Sequence, residues 1–338
     1  MVPPFLSVRE GLYRMEEIMG VILAAGKGTR MYPFSARYPK PLLPICNKPL
    51  IQYQIETLKA LQIKKIIIVI GHLGFEIVRV LGDGSRYDVQ IQYIEQPDTL
   101  GIAHAVGKLE PYIHSPFMLF LGDIFFKTQG LMPMIELLRR GEANAVLATK
   151  YEKDNEAIKR NFAVLCHEDG RVKRVIEKPR YITNNLKGCG LYLFDLHIFD
   201  AIRRTPRTAI RDEYEITEAI QILIDDGFTV RHTEVITDDV NMTFAADLLL
   251  CNLKELKNQG LHYLIGSNRE LNPACKIENS VIGNHVRILP DIEIKNSLIF
   301  DHVVIKDSGN LHNLIMSPEN VIDCSYIWKN GRETAEGP

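Results

Sequence analysis

The run Val21-Ile22-Leu23-Ala24-Ala25-Gly26-Lys27-Gly28-Thr29-Arg30 is an apolar, strand-length stretch that opens into a loop with two glycines. Glycine lets a ligand approach the backbone closely and allows turns that other residues resist. From Ile18 to Ile55 there is no Asp or Glu, while Lys27, Arg30, Arg37, Lys40 and Lys48 supply five cations. A polyanion is the occupant such a loop suits. Two familiar phosphate loops do not fit: Gly26 and Gly28 lie two apart with Lys27 between them, unlike G-x-x-x-x-G-K-[ST]. The dinucleotide pattern G-x-G-x-x-G fails at Met31, and no acid stands near Lys48 to hold a ribose diol.

The elements that must position this loop alternate along the chain. Val21 to Ala25, Lys65 to Ile70, Val89 to Ile94 and Phe117 to Leu121 read as strands, and Ile51 to Leu61, Phe75 to Leu81, Ile102 to Leu109 and Leu131 to Arg140 as helices. Such alternation predicts right-handed crossovers and an α/β, Rossmann-like, mainly parallel sheet flanked by helices. Four further strands are expected at Ala145 to Thr149, Phe162 to Cys166, Val172 to Ile176 and Leu191 to Phe194, with Asp169-Gly170 as a hairpin turn. They extend the sheet and wall off a second pocket. Helices at Glu215 to Asp226 and Ala245 to Lys257 flank one more strand, Thr229 to Ile236. Glu213 and Glu215 read as a helix start, where acids suit the dipole.

Beyond Gly266 the texture changes. Ile282, Ile288, Ile294 and Phe300 recur every six residues, as do Val286, Ile292, Leu298 and Val304, the period of a hexapeptide β-helix. A short coil ending near Cys324 is expected, with its exposed edges pairing between chains in a homo-oligomer.

Composition narrows the class. Forty basic and 42 acidic residues leave a net charge of −2, so there is no basic footprint for a nucleic-acid polymer. No apolar run approaches the ~20 residues of a membrane span. The six cysteines lie far apart without a C-x-x-C pair, which excludes zinc-ribbon spacing and fits a reducing cytoplasm. Residues 1 to 18 mix charges and prolines without an apolar signal segment and read as an N-terminal extension.

Leu23 to Arg30, Pro39-Lys40-Pro41-Leu42-Leu43-Pro44 and Asn47-Lys48-Pro49 resemble the signature L-A-A-G-x-G-T-R, P-K-P-L-L-P and N-K-P of the sugar-1-phosphate nucleotidyltransferases. The likeness continues through Glu95-Gln96-Pro97, Leu100-Gly101, Leu121-Gly122-Asp123 and Glu177-Lys178-Pro179. This resemblance implies transfer of a nucleoside monophosphate from an NTP, with UTP or dTTP favoured, to a hexose-1-phosphate, with glucose-1-phosphate favoured. It implies that Arg30, Lys40 and Lys178 are the catalytic cations. Leu23, Ala25, Gly26, Gly28, Thr29, Gln96 and Gly101 would hold the nucleotide, and Glu177, Lys178 and Gly190 the sugar phosphate. Mg²⁺ would sit on Asp123 and a second carboxylate from Asp238-Asp239, with Asp239 the first choice. There the family pattern D-x-G-T-P-x-D-L is departed from, since Asn241 replaces the glycine and two extra residues precede Asp247. Phe162-Ala163-Val164 also lacks a glycine that relatives place beside the sugar.

The expected organisation is an extension (1–18), a nucleotidyltransferase catalytic domain (19–262), a hexapeptide-repeat, left-handed β-helix (263–328) and a flexible tail (329–338). Guanylyl transfer to mannose-1-phosphate is the nearest enzymatic alternative. A regulatory homologue that binds sugar nucleotides without turnover is another, although Arg30, Lys40, Asp123 and Lys178 are all present. A coil that itself transfers acyl groups is disfavoured by its few hexads.

Overall fold

The structure, a computed structural model, describes residues 18–209 and 212–329. The expected extension, Ile18 apart, and the tail beyond Lys329 lie outside the described residues.

Val21, Ile22 and Ala24 are wholly or almost wholly buried, because Met19–Ala24 is the central strand and has both faces covered. It runs parallel to Lys65–Ile70 on one side and to Phe117–Leu121 on the other, with Val21 opposite Ile67 and Leu119. Gln90–Glu95 adds a fourth parallel strand outside Lys65–Ile70. Chain order therefore reverses at the first strand, and the crevice above its carboxyl end is where open α/β sheets bind ligands. The nine-stranded sheet continues antiparallel through Leu186–Phe194, which pairs with Phe117–Leu121 and with Ala145–Tyr151. Phe162–Cys166 and Val172–Glu177 form the expected hairpin at that edge, turning through Gly170 at φ 78°.

Alternation along these strands sorts the core into two layers. Val21, Ile67 and Leu119 pack towards the helices His197–Arg204 and Ile216–Asp225. Ile22, Ile68 and Phe120 pack towards Leu50–Ala60, Gly74–Leu81 and Met132–Arg139.

Several elements differ from expectation. The single strand expected at Thr229 to Ile236 is two, Val230–Thr233 in the main sheet and Ile236–Asn241 in a separate ribbon with Ile124–Thr128. The ribbon contributes to the cavity wall and sets Asn241 opposite Ile124, next to Asp123. Helices Asn155–Arg160 and His197–Arg204 also form; at six and eight residues both are too short to repeat a periodic pattern.

From Tyr263 the chain winds into three parallel ladders, each turn advancing 17 residues: Tyr263 pairs with Ser280, Glu270 with Arg287 and Lys276 with Glu293. The expected six-residue lattice thus loses one residue per turn. Val286 is fully buried, yet its hexad partner Val304 is 43% exposed while Val303 is 2% exposed. Asn279, Asn296 and Asn313 occupy one corner in the left-handed region, a conformation asparagine tolerates. Their side-chain amides form a ladder at 2.7 and 3.0 Å. The antiparallel strand Val321–Asp323 closes the stack. Among the described residues no helix is long and apolar enough to cross a membrane.

Candidate active site

The central strand ends at Ala24, and Ala25 to Arg30 turn over the sheet edge with Gly28 at φ 62°. A side chain at Gly28 would meet the Lys40 alkyl chain at about 3 Å, so the glycine lets Lys40 lie under the loop. Lys40 Nζ donates to Asp123 Oδ2 at 3.0 Å. Asp123 follows the neighbouring parallel strand, Phe117–Leu121, and its side chain is 43% exposed. Gly122 is required beside it, because a Cβ there would lie 2.6 Å from the Leu23 carbonyl oxygen.

Gln96 terminates the next part of the edge and is 5% exposed. Its Nε2 donates to Asp98 O at 2.8 Å and lies 3.1 Å from His104 Nδ1, so its amide is held in one orientation. Burial pushes the His104 imidazole pKa down, which favours the neutral ring. Gly101, at φ 106°, passes the Tyr214 backbone so closely that a Cβ would sit 2.5 Å from the Tyr214 carbonyl oxygen.

On the far side, Gly190 forms a bulge at φ 66° in Leu186–Phe194 and Glu177 accepts from Thr217 Oγ1 at 3.3 Å. Lys178 follows at φ 42° with its backbone N–H on Asn161 O. Gly28, Lys40, Gln96, Gly101, Asp123, Glu177, Lys178 and Gly190 line one cavity of about 850 Å³. That is ample for a small-molecule pair. Leu23, Ala25, Gly26, Gly28, Thr29, Arg30, Lys40, Gln96, Gly101, Asp123, Glu177, Lys178, Gly190 and Asp239, the residues named from the sequence, all contribute to its wall.

The cations of the acid-free window divide. Arg30 and Lys40 reach the cavity, but Arg37 pairs with Glu319 at 2.8 Å and Lys48 with Glu56 at 2.6 Å. Lys27 is exposed and outside the lining. Asp239 is also not what its position suggested. Its side chain is 2% exposed and accepts from Lys187 Nζ at 2.8 Å on both oxygens, with Lys150 at 3.6 Å. Both of its carboxylate oxygens are thus engaged by lysine. Asp238 lies outside the lining and pairs with Lys254 at 2.7 Å.

Several lining residues were not named. Glu213 and Glu215 line the cavity and Glu215 is 5% exposed, although no side-chain cap forms on the helix that follows. An extended segment puts residues two apart on one face, and that spacing was the available signal. Asn241 donates from Nδ2 to Asn161 Oδ1 at 2.9 Å, leaving its own Oδ1 buried without a partner at the cavity wall. Lys159, Arg160 and Lys187 add positive charge to the wall.

The nucleotidyl transferase family model matches residues 19–239. The chain belongs to the nucleotidyl transferase family. It is 38% identical over 214 residues to the low-salt glycan biosynthesis nucleotidyltransferase Agl11 of Haloferax volcanii, covering 62% of this chain and 58% of that protein. The glucose-1-phosphate thymidylyltransferase of Streptomyces antibioticus is 34% identical with the same coverage. The UTP–glucose-1-phosphate uridylyltransferase AglF of Haloferax volcanii is 34% identical over 63% of this chain and 86% of its own length. This nucleotidyl transferase thus spans 58% of the length of the first two relatives. Its fold matches a Bacillus anthracis protein described as a glucose-1-phosphate thymidylyltransferase, solved with a sucrose, at TM-score 0.62 and 26% identity over 70% of this chain and 94% of that one.

Proposed function

We propose that this nucleotidyl transferase moves the nucleoside monophosphate of UTP or dTTP onto a hexose-1-phosphate, glucose-1-phosphate first, releasing pyrophosphate. The observation that carries this reading is a single cavity holding Arg30, Lys40 and Asp123 at the central strand edge, Gln96 beside them, and Glu177 and Lys178 opposite. The thymidylyl- and uridylyltransferases among its relatives support the choice of base and sugar.

A sugar-phosphate oxygen attacks the α-phosphorus while the bond to the β-phosphate oxygen breaks, and the electron pair leaves with pyrophosphate. Both partners are anions, so positioning and charge neutralisation are the main requirements. Arg30 and Lys40 meet the triphosphate and the departing pyrophosphate. Lys178 meets the incoming sugar phosphate, and Glu177 accepts hydrogen bonds from sugar hydroxyls. The Gln96 amide, fixed by Asp98 and His104, reads the edge of the base. No side-chain nucleophile takes part.

Mg²⁺ suits the donor set. It takes one or two carboxylates plus substrate phosphates and water. Asp123 supplies an accessible carboxylate, and the unpartnered Asn241 Oδ1 is a hard oxygen donor at the same wall. We assign these two residues, rather than the lysine-bound Asp239, to hold the ion. When bound, Mg²⁺ neutralises phosphate charge and templates the in-line geometry.

The catalytic unit is taken as 19–262 and the coil as a left-handed β-helix over 263–328. Six unpaired thiols suit a reducing compartment such as the cytoplasm. The coil exposes Leu289, Val304 and Val321, which we propose bury in a homo-oligomer, to be read by light scattering.

Incubating the full chain with Mg²⁺, glucose-1-phosphate and each of UTP, dTTP, GTP, CTP and ATP should release pyrophosphate with UTP or dTTP. A preference for GTP with mannose-1-phosphate would reassign the base and sugar. Silence with every pair of nucleotide and sugar-1-phosphate, with binding retained, would make the protein a sensor of sugar nucleotides.

A further inference from the structure

The segment that carries Arg30 and Lys40 has little regular structure of its own. Between Gly28 and Leu43 it contains only three short 3-10 turns, Thr29–Met31, Phe34–Ala36 and Lys40–Leu42. Turns of this length are weakly held by their own hydrogen bonds. The geometry of the two cavity cations must come from packing.

Around Phe34 to Tyr38 that packing is supplied largely by the coil, whereas the turn Lys40–Leu42 packs on the helix Leu50–Ala60. Phe34, 1% exposed, stacks on Phe300 with ring centroids 5.2 Å apart and an interplanar angle of 20°. Tyr38 meets the same ring edge-on at 5.3 Å. Arg37 is paired with Glu319. Met31, directly after Arg30, is fully buried in a core cluster that joins the helix Ala245–Asn258 to the coil. Within residues 31–38, Phe34, Arg37 and Tyr38 are all anchored to coil residues. The sheet side adds a lighter contact, His72 Nε2 at 3.3 Å from Ser35 O. Asp123, Glu177 and Lys178 stand at the ends of main-sheet strands, away from the coil's contacts with residues 34–38.

We propose that Phe300 and Glu319 are positioning residues for the phosphate-binding loop: the coil clamps the loop from behind and so sets the affinity for the nucleotide's phosphates. This rests on the reading above that the loop receives an NTP. The ring of Phe300, 3% exposed, is the main anchor. The pair Arg37–Glu319, with side chains 63% and 35% exposed, is the adjustable one, worth little energetically but able to fix the direction of the turn.

The experiment compares Phe300→Ala, Phe300→Tyr, Glu319→Lys and the swap Arg37→Glu/Glu319→Lys in the full chain. Misplacing Arg30 and Lys40 in Phe300→Ala should raise the KM for UTP or dTTP by about tenfold or more, with the KM for glucose-1-phosphate within about twofold. Phe300→Tyr should recover most of the loss. Glu319→Lys, which cannot disturb the core, should raise the nucleotide KM by about threefold and the swap should reverse it. Amide exchange over residues 29–38, measured without nucleotide, should quicken in Phe300→Ala and Glu319→Lys while the strand Met19–Ala24 stays protected. Both KM values moving together, or unchanged exchange over 29–38 in a folded Glu319→Lys, would overturn the clamp. Should the wild-type chain bind neither UTP nor dTTP, the functional reading fails, and the exchange measurement still decides the clamp.

Discussion

The two ends of the cavity are built on opposite principles. At the phosphate end the charges sit on a loop and are only partly answered: Lys40 reaches Asp123, whose side chain remains 43% exposed. At the sugar end Glu177 and Lys178 are taken as ligand groups, but the neighbouring charges of the wall are closed upon one another. Lys187 and Asp239, 3% and 2% exposed, bind each other with Lys150 and Glu152 beside them. Charges left accessible can exchange water for a ligand at low cost, whereas a buried pair holds the wall in shape and resists change. Changes at the first end should therefore be felt in turnover, and changes at the second in stability.

The sharpest test of that division is Lys187→Ala. It leaves the Asp239 carboxylate buried with only Lys150 at 3.6 Å, and should cost about 3 kcal/mol of stability, towards the lower end for a broken buried pair. Lys187→Met with Asp239→Leu should recover most of it in chemical denaturation. A single variant as stable as the wild type would show that the sugar end is not closed.

Asp123→Ala is the counterpart. Removing a half-exposed carboxylate should leave the melting temperature within a degree or two, equivalent to about 0.5 kcal/mol. Mg²⁺-dependent pyrophosphate release should fall by about 10²- to 10³-fold. Turnover unchanged in this variant would remove Asp123 from the reaction.

Asp247 also lines the cavity. Its carboxylate accepts the Thr243 and Phe244 N–H groups at 3.0 and 2.6 Å, capping the helix Ala245–Asn258. Burial nevertheless pushes its pKa from the ordinary 3.8 up to about 6, against the pull of those bonds and of Arg160 and Lys40. The folded state thus holds this proton longer than the unfolded chain does. Stability from this group is present below the unfolded value and falls as pH rises from about 4 to 6, by about 2 to 3 kcal/mol. Thermal denaturation between pH 4 and 7 should show that fall in the wild type and lose it in Asp247→Asn.

Much of this arrangement was legible from residue order, because the central strands are apolar runs and the phosphate loop is contiguous. What escaped depended on partners far away. Arg37 read as a ligand cation because its answering acid, Glu319, stands 282 residues on. Lys187 carries no local sign that it meets Asp239 across 52 residues. The coil was visible through its hexads, but its turn of 17 residues was not, since a one-residue slip at a corner shows only when Val303 and Val304 are seen to exchange faces. Glu215 does stand at the start of the helix Ile216–Asp225, and that reading explained the acid so adequately that its place in the cavity wall shows only once its burial is known.

The finest comparison is between two glycines in the left-handed region, Gly28 at the phosphate end and Gly190 at the sugar end. Alanine at either position carries a backbone cost of about 1 to 2 kcal/mol. At Gly190 the added carbon would also press within 2.9 Å of Leu121 Cδ1 in the packed sheet. At Gly28 it would meet only the Lys40 alkyl chain, 3.0 Å away at Cε, and that chain can yield. Gly28→Ala should therefore fold with a melting temperature lower by about 2 to 4 °C. The displaced lysine should raise the KM for the nucleotide and leave that for the sugar phosphate in place. Equal losses of stability at both glycines would mean that the phosphate loop is packed as tightly as the sheet, and the distinction between an open and a closed end would not hold.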